Sequence, residues 1–600
     1  MCGYLGQVSF NKINDNLVEK CNEKIVCRGP DEKKIFTTES SDYHQLNGNL
    51  NLSLIFNRLK ILDLSSQASQ PMISEQFSSI LMYNGEIYNH RELRKNLEKE
   101  NVEFKSSHSD TEVVLNGISK HGIDFINKLV GQFAIALIDL KLNKIYLVRD
   151  RLGQKPLFYS LNNENLCFGS NLKSIKKLTN NDSVNMQQLN NFLNLGVVPS
   201  PNTIYQNIYK VKPGEVIEFT FNDKKIAHKN IIYWNPSDYL SEKKFNDYEV
   251  MNLIKNSLST RMEADVDIAN FLSGGIDSTS LIKLASKNYD IYSFSMSVSK
   301  ENYDESRWFN YVSKIYDTKN TTVNLNSNNL SKEEVLESIN IFDEPYADPS
   351  TIPSYFLSKS VSKNFKVVIS GDGGDELFGG YERLYLTVKK KSFMNNIFAK
   401  LYDYYPAFLG TGNRLLRNSK DLKISFASFL EDRKFLKLLK IKPDFNFIEK
   451  YLNNCDNDIK NLMIADIRFY LSELMMLKLD RTSMANSLEV RSPFVDHRLI
   501  QYILEHEFNS ENLNNPKKLL KEFLSPDLNN EFLNRKKRGF VFDLETWIYK
   551  NKNYIKSIIT NSEHLKIINL KKISFLFFYK SRINAIRIWK LFFLAIYLDD

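Results

Sequence analysis

Cysteine is scarce in this 600-residue sequence, and the few cysteines present are not arranged in pairs. There are five, an odd number, and no two are spaced as Cys-x-x-Cys. A disulfide framework needs paired cysteines, and structural zinc sites usually show short Cys-x-x-Cys spacings. The pattern therefore indicates neither kind of cross-link. The cysteines are Cys2, Cys21, Cys27, Cys167 and Cys455.

Long apolar runs are also missing. The most apolar stretch, Ile588–Leu598, is about half of the ~20 residues that a membrane-spanning helix needs, and Lys590 interrupts it. This stretch is typical of a terminal helix that packs on a core. The polar segment Asn11–Asn16 comes too early for a secretory signal. We therefore expect a protein that stays in the cytoplasm and has no membrane partner.

A strong excess of one charge is absent as well. The chain has 80 basic and 71 acidic side chains, which give a formal net charge of +9, and both signs are mixed along its length. The densest basic spot is the short run Arg535–Arg538. Nucleic-acid-binding proteins usually concentrate basic residues on one surface. The diffuse excess therefore favours a solvated surface, and we expect no nucleic-acid partner.

Hydrophobic residues make up 42% of the chain and charged residues 25%, a balance typical of globular proteins. The length predicts at least two domains. The first part alternates short predicted strands with helices near Arg91–Lys99 and Glu112–His121, which predicts an α+β domain. A break that follows the corner Trp234-Asn235-Pro236 predicts a boundary near Pro236–Asn246, so we assign residues 1–236 and 246–600 to two domains. The predicted strands are Tyr4–Phe10, Leu52–Phe56, Ser79–Tyr83, Phe133–Asp139, Lys144–Arg149, Leu166–Ser170 and Glu215–Phe219.

The second part opens with the pattern of a parallel nucleotide-binding sheet. Helix Tyr248–Arg261 precedes the apolar strand Ile268–Leu272, then a glycine turn, then a helix from about Asp277. The chain beyond about Tyr381 has an almost wholly helical pattern. The further predicted strands are Asp290–Met296, Thr321–Leu325 and Lys366–Ser370.

Cys2 follows the initiator methionine, and a small second residue favours removal of that methionine. The free α-amino group of Cys2, with a pKa of roughly 7.7 to 8.0, would then act as base to its own thiol. Taken alone, a cysteine at this position is more often a small apolar residue that starts a strand. The motifs that follow it favour the nucleophile.

Five motifs in this order resemble the N-terminal-nucleophile glutamine amidotransferases, and the resemblance implies an α-β-β-α sandwich. Amide hydrolysis passes through an oxyanion, for which the side-chain amide of Asn84 and the backbone N–H of Gly85 are suitable donors. Without its neighbours, Asn84-Gly85 would be an ordinary hairpin turn. The motifs are Met1-Cys2-Gly3, Arg28-Gly29-Pro30-Asp31, Arg58-Leu59 with Asp63, Tyr83–Asn89 and Ser109-Asp110.

Free glutamine carries a carboxylate and an ammonium group. Arg58 matches the carboxylate, and Glu86 and Asp110 match the ammonium. The resemblance to the glutamine amidotransferases implies the same roles for these positions. Surface ion pairs are the alternative explanation of these charges. The sequence differs from the family at Cys27, where histidine is usual, and at Asn171, where glutamate is usual, and we expect both to affect loop support only.

The glycine turn of the second part has the features of a pyrophosphate-binding loop. A strand-to-helix turn presents backbone N–H groups and a helix N-terminus, which attract anions, and the loop resembles that of the ATP pyrophosphatases. No Gly-Lys-Ser or Gly-Lys-Thr occurs in the chain, so a Walker A loop is absent. Cleavage of ATP between the α and β phosphates is implied. The loop residues are Ser273, Gly274, Gly275, Asp277 and Ser278.

A second acidic, glycine-rich turn, Ser370–Glu376, follows the predicted strand Lys366–Ser370. Parallel strands would bring its carboxylates to the same sheet edge as Asp277. Because Mg²⁺ prefers one or two carboxylates together with phosphate oxygens, Asp277 and Asp375 are the candidate metal ligands. A plain surface loop or a calcium site are the alternatives, although the EF-hand spacing is absent.

The segment Leu477–Asp496 resembles the helical signature of asparagine synthetases. This resemblance implies that Leu272, Met296, Ser370 and Gly371 line the ATP site. It also places Asp372 where some members have a glutamate implicated in forming the acyl-adenylate. Lys517 matches a lysine thought to stabilise charge as ammonia attacks the adenylate, and Lys518 is the competing assignment.

The resemblance spans the chain from Cys2 to the terminal helix and implies glutamine-dependent asparagine synthesis. Its substrates would be glutamine, aspartate and ATP, with Mg²⁺, and a homodimer is expected by likeness alone. Because no motif encodes the acceptor, amidation of another carboxylate, such as a sugar acid of a polysaccharide, stays open. So do a simple glutaminase and a glutamine-binding or assembly protein with an inactive synthetase half.

Overall fold

The computed structural model describes residues 2–45, 50–222, 225–298, 304–326, 329–389, 397, 399–442, 448–452, 457–535 and 542–599. The first domain contains two antiparallel sheets. Their strands are β1 Cys2–Ser9, β2 Glu32–Thr37, β3 Asn51–Arg58, β4 Met72–Ser74, β5 Ser79–Ile87, β6 Gly131–Asp139, β7 Lys144–Arg149, β8 Phe158–Leu161, β9 Asn165–Gly169, β10 Tyr209–Lys210, β11 Glu215–Asn222 and β12 Lys225–Ile232.

One sheet has the strand order β10-β8-β9-β1-β3-β2, and the other has the order β12-β11-β7-β6-β5-β4. Alternate side chains of both sheets point into a shared apolar core that includes Leu54, Ile80 and Phe168. Because strand side chains alternate, the opposite faces carry the helices. The helices of this domain are Asp15–Cys21, Ser41–Gln45, His90–Lys99, Asp110–His121, Leu172–Thr179 and Met186–Leu195.

Helix Asp110–His121 covers the second sheet, and helix Leu172–Thr179 covers the first sheet. The layers are therefore helix, sheet, sheet, helix, and the predicted α-β-β-α fold is confirmed. Each predicted strand of this part is present, with ends that differ by a few residues. Five strands were not predicted because they are short or lack a clear apolar alternation; they are β2, β4, β8, β10 and β12.

The second domain is built on one parallel sheet with the order β15-β14-β13-β16-β17. Its carboxyl ends meet at one edge, as predicted for a nucleotide-binding sheet. The predicted helical character beyond Tyr381 is confirmed apart from strand β17, which three residues form. The strands are β13 Ile268–Phe271, β14 Tyr292–Val298, β15 Lys319–Leu325, β16 Val367–Ile369 and β17 Glu489–Arg491.

Helices cover this sheet and form the C-terminal part. Most residues of the terminal helix are buried, as predicted from its apolar sequence, and only Arg582, Ile583 and Asp599 of this helix are exposed. No helix that the structure describes is long and apolar enough to cross a membrane. The helices are Asp247–Arg261, Ile276–Ala285, Ser306–Ile315, Lys332–Asn340, Thr351–Val361, Gly374–Leu377, Glu382–Val388, Asn413–Leu416, Leu422–Ala427, Arg433–Leu438, Asp458–Ala465, the π-helical Asp466–Met475, Met476–Met484, His497–Glu505, Ser510–Asn514, Lys518–Leu524, Asn530–Leu533, Leu544–Lys550, Lys552–Asn561, Ile573–Phe578 and Arg582–Asp599.

Candidate active sites

Cys2 begins strand β1 and lies at the centre of the first candidate site. Its side chain is buried, and its backbone N–H donates a hydrogen bond of 2.9 Å to Asn84 Oδ1. Burial raises the pKa of the Cys2 thiol, although the N-terminal positive charge and Arg58 act in the opposite direction. A buried thiol of this kind stays protonated near neutral pH and needs a base to become a nucleophile.

Asn84 and Gly85 lie on strand β5 of the facing sheet. Asn84 is fully buried, and its Nδ2 has no hydrogen-bond partner among the described residues. A buried donor without a partner costs free energy that a ligand would recover. At Gly85 a Cβ atom would come within 2.1 Å of Gln132 O, so only glycine fits. A free amide donor and a bare backbone are the features that an oxyanion site needs.

Arg58 ends strand β3 directly opposite Cys2 in the register of the two strands. Its side chain is buried, and its Nη1 donates a hydrogen bond of 2.7 Å to Ser65 O. Its Nη2 donates to Asp63 O, and its Nη1 lies 3.5 Å from Glu32 Oε2. These contacts fix the orientation of the guanidinium group near the thiol.

Glu86 and Asp110 are two buried carboxyl groups, and Asp110 is close enough to influence the ionisation of Glu86. Asp110 starts helix Asp110–His121, and its Oδ2 accepts a hydrogen bond of 2.7 Å from Tyr83 OH. Burial raises the pKa of Glu86 well above its usual range, Arg491 lowers it, and Asp110 raises it further. A bound ammonium group would favour the ionised form of Glu86.

Arg28 links the first site to the second domain. Its Nε donates a hydrogen bond of 3.2 Å to Cys2 O, and its two terminal nitrogens each donate one of 2.8 Å to Asp480. Burial opposes the ionisation of Asp480, but Arg28, Arg481 and Lys155 lower its pKa below the usual range. The backbone of Cys2 is therefore tied to the second domain through a bidentate ion pair.

Strand β17 brings Glu489 and Arg491 of the second domain to the same region, and sequence analysis missed both. They are fully buried, and Arg491 Nε lies 2.6 Å from Glu489 Oε1. Burial opposes the ionisation of Glu489, but the N-terminal positive charge, Arg491 and Lys155 lower its pKa to about 2. The sequence feature that could have identified them is the pair of opposite charges on either side of Val490, within the segment Leu477–Asp496.

The second candidate site begins at the carboxyl end of β13, where the chain turns into helix Ile276–Ala285. Ser273 Oγ lies 3.1 Å from Ser278 Oγ and accepts a hydrogen bond of 3.2 Å from Gly275 N–H. Gly274 has a φ of +74°, which favours glycine. The N-terminus of helix Ile276–Ala285 is a suitable anion site. The predicted loop residues in this turn are Ser273, Gly274, Gly275, Asp277 and Ser278.

The acidic turn after β16 lies directly beside this loop, because β16 and β13 are parallel neighbours. Ser370 and Gly371 follow the strand. A Cβ atom on Gly371 would come within 2.9 Å of Ser278 N, and one on Gly374 within 2.6 Å of Asp277 Cγ. The two turns therefore pack too closely for side chains at these positions.

Lys517 joins the two turns. Its Nζ contacts Asp277 Oδ2 and lies 2.6 Å from Asp375 Oδ1, and all three side chains are buried. Lys518, the competing assignment, has a side chain that is 64% exposed and pairs with Glu522 at 3.8 Å. The structure therefore brings Asp277, Asp375 and Lys517 together and leaves Lys518 at the surface.

The two aspartates have the chemistry of a magnesium site. Asp277 Oδ1 is buried and, among the described residues, has no hydrogen-bond partner. In that same part of the chain, no group of three or more His, Cys, Asp or Glu side chains is arranged to hold a metal ion. Because Mg²⁺ is commonly held by two carboxylates and phosphate oxygens, Asp277 and Asp375 fit a metal ion shared with a nucleotide.

Leu272 and Met296 are buried beside the first turn. Ser295 Oγ donates a hydrogen bond of 2.7 Å to Leu272 O, which anchors the end of the strand. Asp372 is half-buried, and its carboxylate accepts a hydrogen bond from Ser370 Oγ. Asp372 is therefore held within its own turn, at the carboxyl edge of the sheet.

A cluster of buried charges lies where the two domains meet. Arg481 donates hydrogen bonds to Asp343 at 2.6 Å and to Glu344 at 3.3 Å, and Glu344 also contacts Lys210 of the first domain. Burial raises the pKa of Glu344, whereas Lys210 and Arg481 lower it. A small cavity is present here, with walls from both domains. It is lined by residues that include Arg149, Lys210, Glu344, Glu473, Met476 and Arg481.

The two departures from the family pattern have simple structural roles. Cys27 is exposed, and its carbonyl accepts a hydrogen bond of 2.6 Å from Ser487 Oγ. Asn171 caps helix Leu172–Thr179, because its Oδ1 accepts a hydrogen bond of 2.9 Å from Ser174 N–H. Asparagine is a favourable residue at this position.

Only the first residue of the basic run Arg535–Arg538 is described. Arg535 Nη2 donates a hydrogen bond of 2.7 Å to Gly274 O, and Nη1 lies 2.7 Å from Glu305 Oε1. Residues 536–541 and Cys455 lie outside the described residues. Arg535 therefore contacts the predicted pyrophosphate loop and is more than a solvated surface charge.

Comparison with known proteins finds two family models that match this chain. The family model for a glutamine amidotransferase domain matches residues 1–234, and the family model for asparagine synthase matches residues 249–593. Asparagine synthetase [glutamine-hydrolyzing] 1 of Bacillus subtilis is 30% identical over 596 residues, which cover 94% of this chain and 90% of the relative. A putative asparagine synthetase [glutamine-hydrolyzing] 2 of Methanocaldococcus jannaschii is 31% identical, covering 81% of this chain and 98% of the relative.

Proposed function

Because this chain belongs to the family of glutamine-hydrolysing asparagine synthetases, we propose that it moves the amide nitrogen of glutamine to the side-chain carboxylate of aspartate and consumes ATP. The main support for this proposal is that one chain contains two sites with complementary chemistry. One is a buried N-terminal cysteine beside an unpartnered amide donor, and the other is a pair of glycine turns that gather two aspartates and a lysine. The chain is a glutamine-dependent ligase.

In the first reaction, the α-amino group of Cys2 takes the thiol proton after removal of Met1, and the thiolate attacks the glutamine amide carbon. Asn84 Oδ1, which accepts from Cys2 N–H in the structure, orients that amino group. Asn84 Nδ2 and the N–H of Gly85 stabilise the oxyanion. Collapse of the tetrahedral intermediate releases ammonia and leaves a thioester, which water hydrolyses to glutamate.

Recognition of glutamine uses charges of both signs. Arg58 is held in a fixed orientation by backbone carbonyls, so its remaining N–H groups pair with the substrate carboxylate. Glu86 and Asp110 pair with the substrate ammonium group. Binding of that ammonium repays the cost of ionising the buried Glu86.

In the second reaction, the acceptor carboxylate attacks the α-phosphorus of ATP, and pyrophosphate leaves. The turn that contains Ser273 and Ser278 binds the pyrophosphate through its N–H groups. Asp277 and Asp375 would hold Mg²⁺, whose charge neutralises the phosphate oxygens. Lys517, which contacts both aspartates, donates to the oxygens on which charge develops, both in this step and when ammonia attacks the adenylate.

Ammonia then attacks the acyl-adenylate and displaces AMP to form the amide. Free ammonia would be protonated in bulk water, so transfer between the sites needs a closed path. The buried cluster of Lys210, Glu344 and Arg481, with its small cavity between the domains, supports such a path. We place the division between the domains at residues 236–246, and the family matches, which end at 234 and resume at 249, support that division.

The test is to trace nitrogen. Purified enzyme with ATP, Mg²⁺, aspartate and amide-¹⁵N glutamine is expected to produce asparagine labelled in its side-chain amide, together with equal amounts of AMP and pyrophosphate. Formation of labelled free ammonia and glutamate without any amide product would contradict the proposal and favour a simple glutaminase.

A further inference from the structure

Strand β17 carries two charged residues that are fully buried, Glu489 and Arg491. Among the described residues, the guanidinium group of Arg491 has four polar contacts, of which three are short and directed. Its Nε lies 2.6 Å from Glu489 Oε1, and its Nη1 donates to Arg261 O at 2.9 Å and to Glu263 O at 2.7 Å. These contacts fix the plane of the guanidinium group, so the direction of Nη2 is fixed as well.

The fourth contact crosses into the first domain. Arg491 Nη2 lies 3.4 Å from Glu86 Oε2, and within the described residues it donates no hydrogen bond. A buried guanidinium nitrogen without a hydrogen bond costs free energy, so packing alone does not explain it. Because Nη2 makes no hydrogen bond to Glu86, the lone pairs of the Glu86 carboxylate stay available to a ligand.

Glu86 needs a positively charged partner such as Arg491. It is 5% exposed, and within the part of the chain that the structure describes it makes no other ion pair within 4 Å. Burial penalises its ionised form, and the nearby Asp110 adds repulsion. A neutral carboxylic acid at this position would pair poorly with the ammonium group of an amino acid.

We propose that Arg491 is a positioning residue for glutamine hydrolysis, which holds Glu86 ionised and oriented toward the substrate ammonium, so that the second domain completes the glutamine pocket. The inference rests on the proposed function, because it takes glutamine as the ligand. The strand is itself anchored, since Arg491 O accepts a hydrogen bond of 2.9 Å from Ser370 N–H.

The charges around Glu86 predict opposite effects for two substitutions. Removing Arg491 removes a charge that lowers the pKa of Glu86, whereas neutralising Glu489 removes one that raises it. The other titratable groups that influence Glu86 or are influenced by it belong to β5, the residue directly after β5, helix Asp110–His121 and the chain's start. They are Asp110, Tyr83, Tyr88 and the N-terminal amino group.

The experiment measures the glutamine Kd by calorimetry as a function of pH in full-length protein with Cys2→Ala, which binds without turnover. The Kd is expected to rise as pH falls and Glu86 becomes protonated. Arg491→Met should weaken glutamine binding at least tenfold at pH 8. It should also shift the rise in Kd to higher pH. Glu489→Gln should shift the rise in Kd to lower pH. Arg498→Met, which lies in the following helix His497–Glu505 and pairs with Asp496, should leave the pH of the rise unchanged.

A double-mutant cycle gives a second readout. If Arg491 acts through Glu86, Arg491→Met in a Glu86→Gln background should change the Kd less than threefold. In the Cys2-intact enzyme, Arg491→Met should raise the KM for glutamine, change kcat little, and keep ammonia-dependent synthesis. If Arg491→Met does not fold, Glu489→Gln still tests the direction of the pH shift.

Unchanged pH curves for both β17 variants, or full additivity in the cycle, would overturn the role of Arg491. Failure of the unmodified enzyme to hydrolyse glutamine would instead overturn the proposed function and this inference together. The two failures are therefore distinguishable.

Discussion

Arg28 in the first domain and Asp480 in the second form a buried bidentate ion pair with two hydrogen bonds of 2.8 Å. Arg28 also donates to the carbonyl oxygen of Cys2. One guanidinium group thus connects the backbone of the nucleophile to the helix Met476–Met484 of the synthetase half. This contact supports our interpretation that the two reactions take place at sites held in fixed register.

Asp480→Asn should make the relative positions of the two sites less fixed. The substitution leaves Arg28 and Lys155 buried without their anion, which typically costs about 3–5 kcal/mol of the free energy of unfolding. We expect a lower thermal unfolding midpoint and a ratio of glutamate to amide product above one, since ammonia would escape. The matched control is Lys359→Met, which breaks a surface pair with Glu337 and should change stability by less than about 1 kcal/mol. A ratio of one in a destabilised Asp480→Asn enzyme would contradict the register argument.

Cys2→Ala should separate the two activities. Without the thiol, glutamine-dependent synthesis is expected to fall by at least about a thousandfold, because the covalent route is lost. Ammonia-dependent synthesis should stay within about twofold, because the second site is intact. Both are measured as amide product under saturating ATP. Cys27→Ala, which removes an exposed thiol, is the control and should preserve both; loss of both activities in Cys2→Ala would contradict a two-site scheme.

Lys517→Met and Lys518→Met discriminate between the two assignments. Lys517 contacts Asp277 and Asp375, whereas Lys518 points to the surface. Removing a cation at developing charge typically costs about 10²–10³ in rate, so Lys517→Met should lose pyrophosphate release by that factor and keep glutamine hydrolysis. Lys518→Met should stay within about twofold in both assays, and the reverse pattern would show that the assignment is wrong.

Glu376 predicts a pH-dependent stability. Burial raises its pKa to about 7, and Tyr381 OH donates a hydrogen bond of 2.9 Å to its Oε1. A raised carboxyl pKa gives stability that is complete below the unfolded pKa and lost as pH rises through about 7. Glu376→Gln stays neutral, so its stability relative to the unmodified protein should increase by about 2–3 kcal/mol between pH 5 and pH 8. Thermal unfolding midpoints of the two proteins across this pH range check this, and a stability difference that stays constant with pH for Glu376→Gln would contradict the prediction.

The local patterns predicted most of the fold. Strand Ile268–Phe271, its glycine turn and the helix after it followed from apolar content and glycine placement alone. The expectation that Asp277 and the acidic turn share a sheet edge was also correct, because the order of parallel strands constrains where their ends lie. Lys517 meets these aspartates because of packing in the helical part, which only the family likeness indicated.

The contacts between the domains were not predictable. Arg28 and Asp480 are 452 residues apart, and no local periodicity encodes their pairing. Strand β17 has three residues, of which Glu489 and Arg491 are charged yet fully buried. A pattern of apolar residues cannot detect such a strand, because ion pairing across the interface offsets the cost of burying its charges.

The most direct test of the account is pyrophosphate release by the purified enzyme with ATP, Mg²⁺ and glutamine, measured with aspartate and with a panel of other carboxylates, including sugar acids. Release is expected to depend on aspartate and to match asparagine formation one to one. Release with another acid and none with aspartate would contradict the assigned acceptor, and no release with any acid would contradict an active synthetase site.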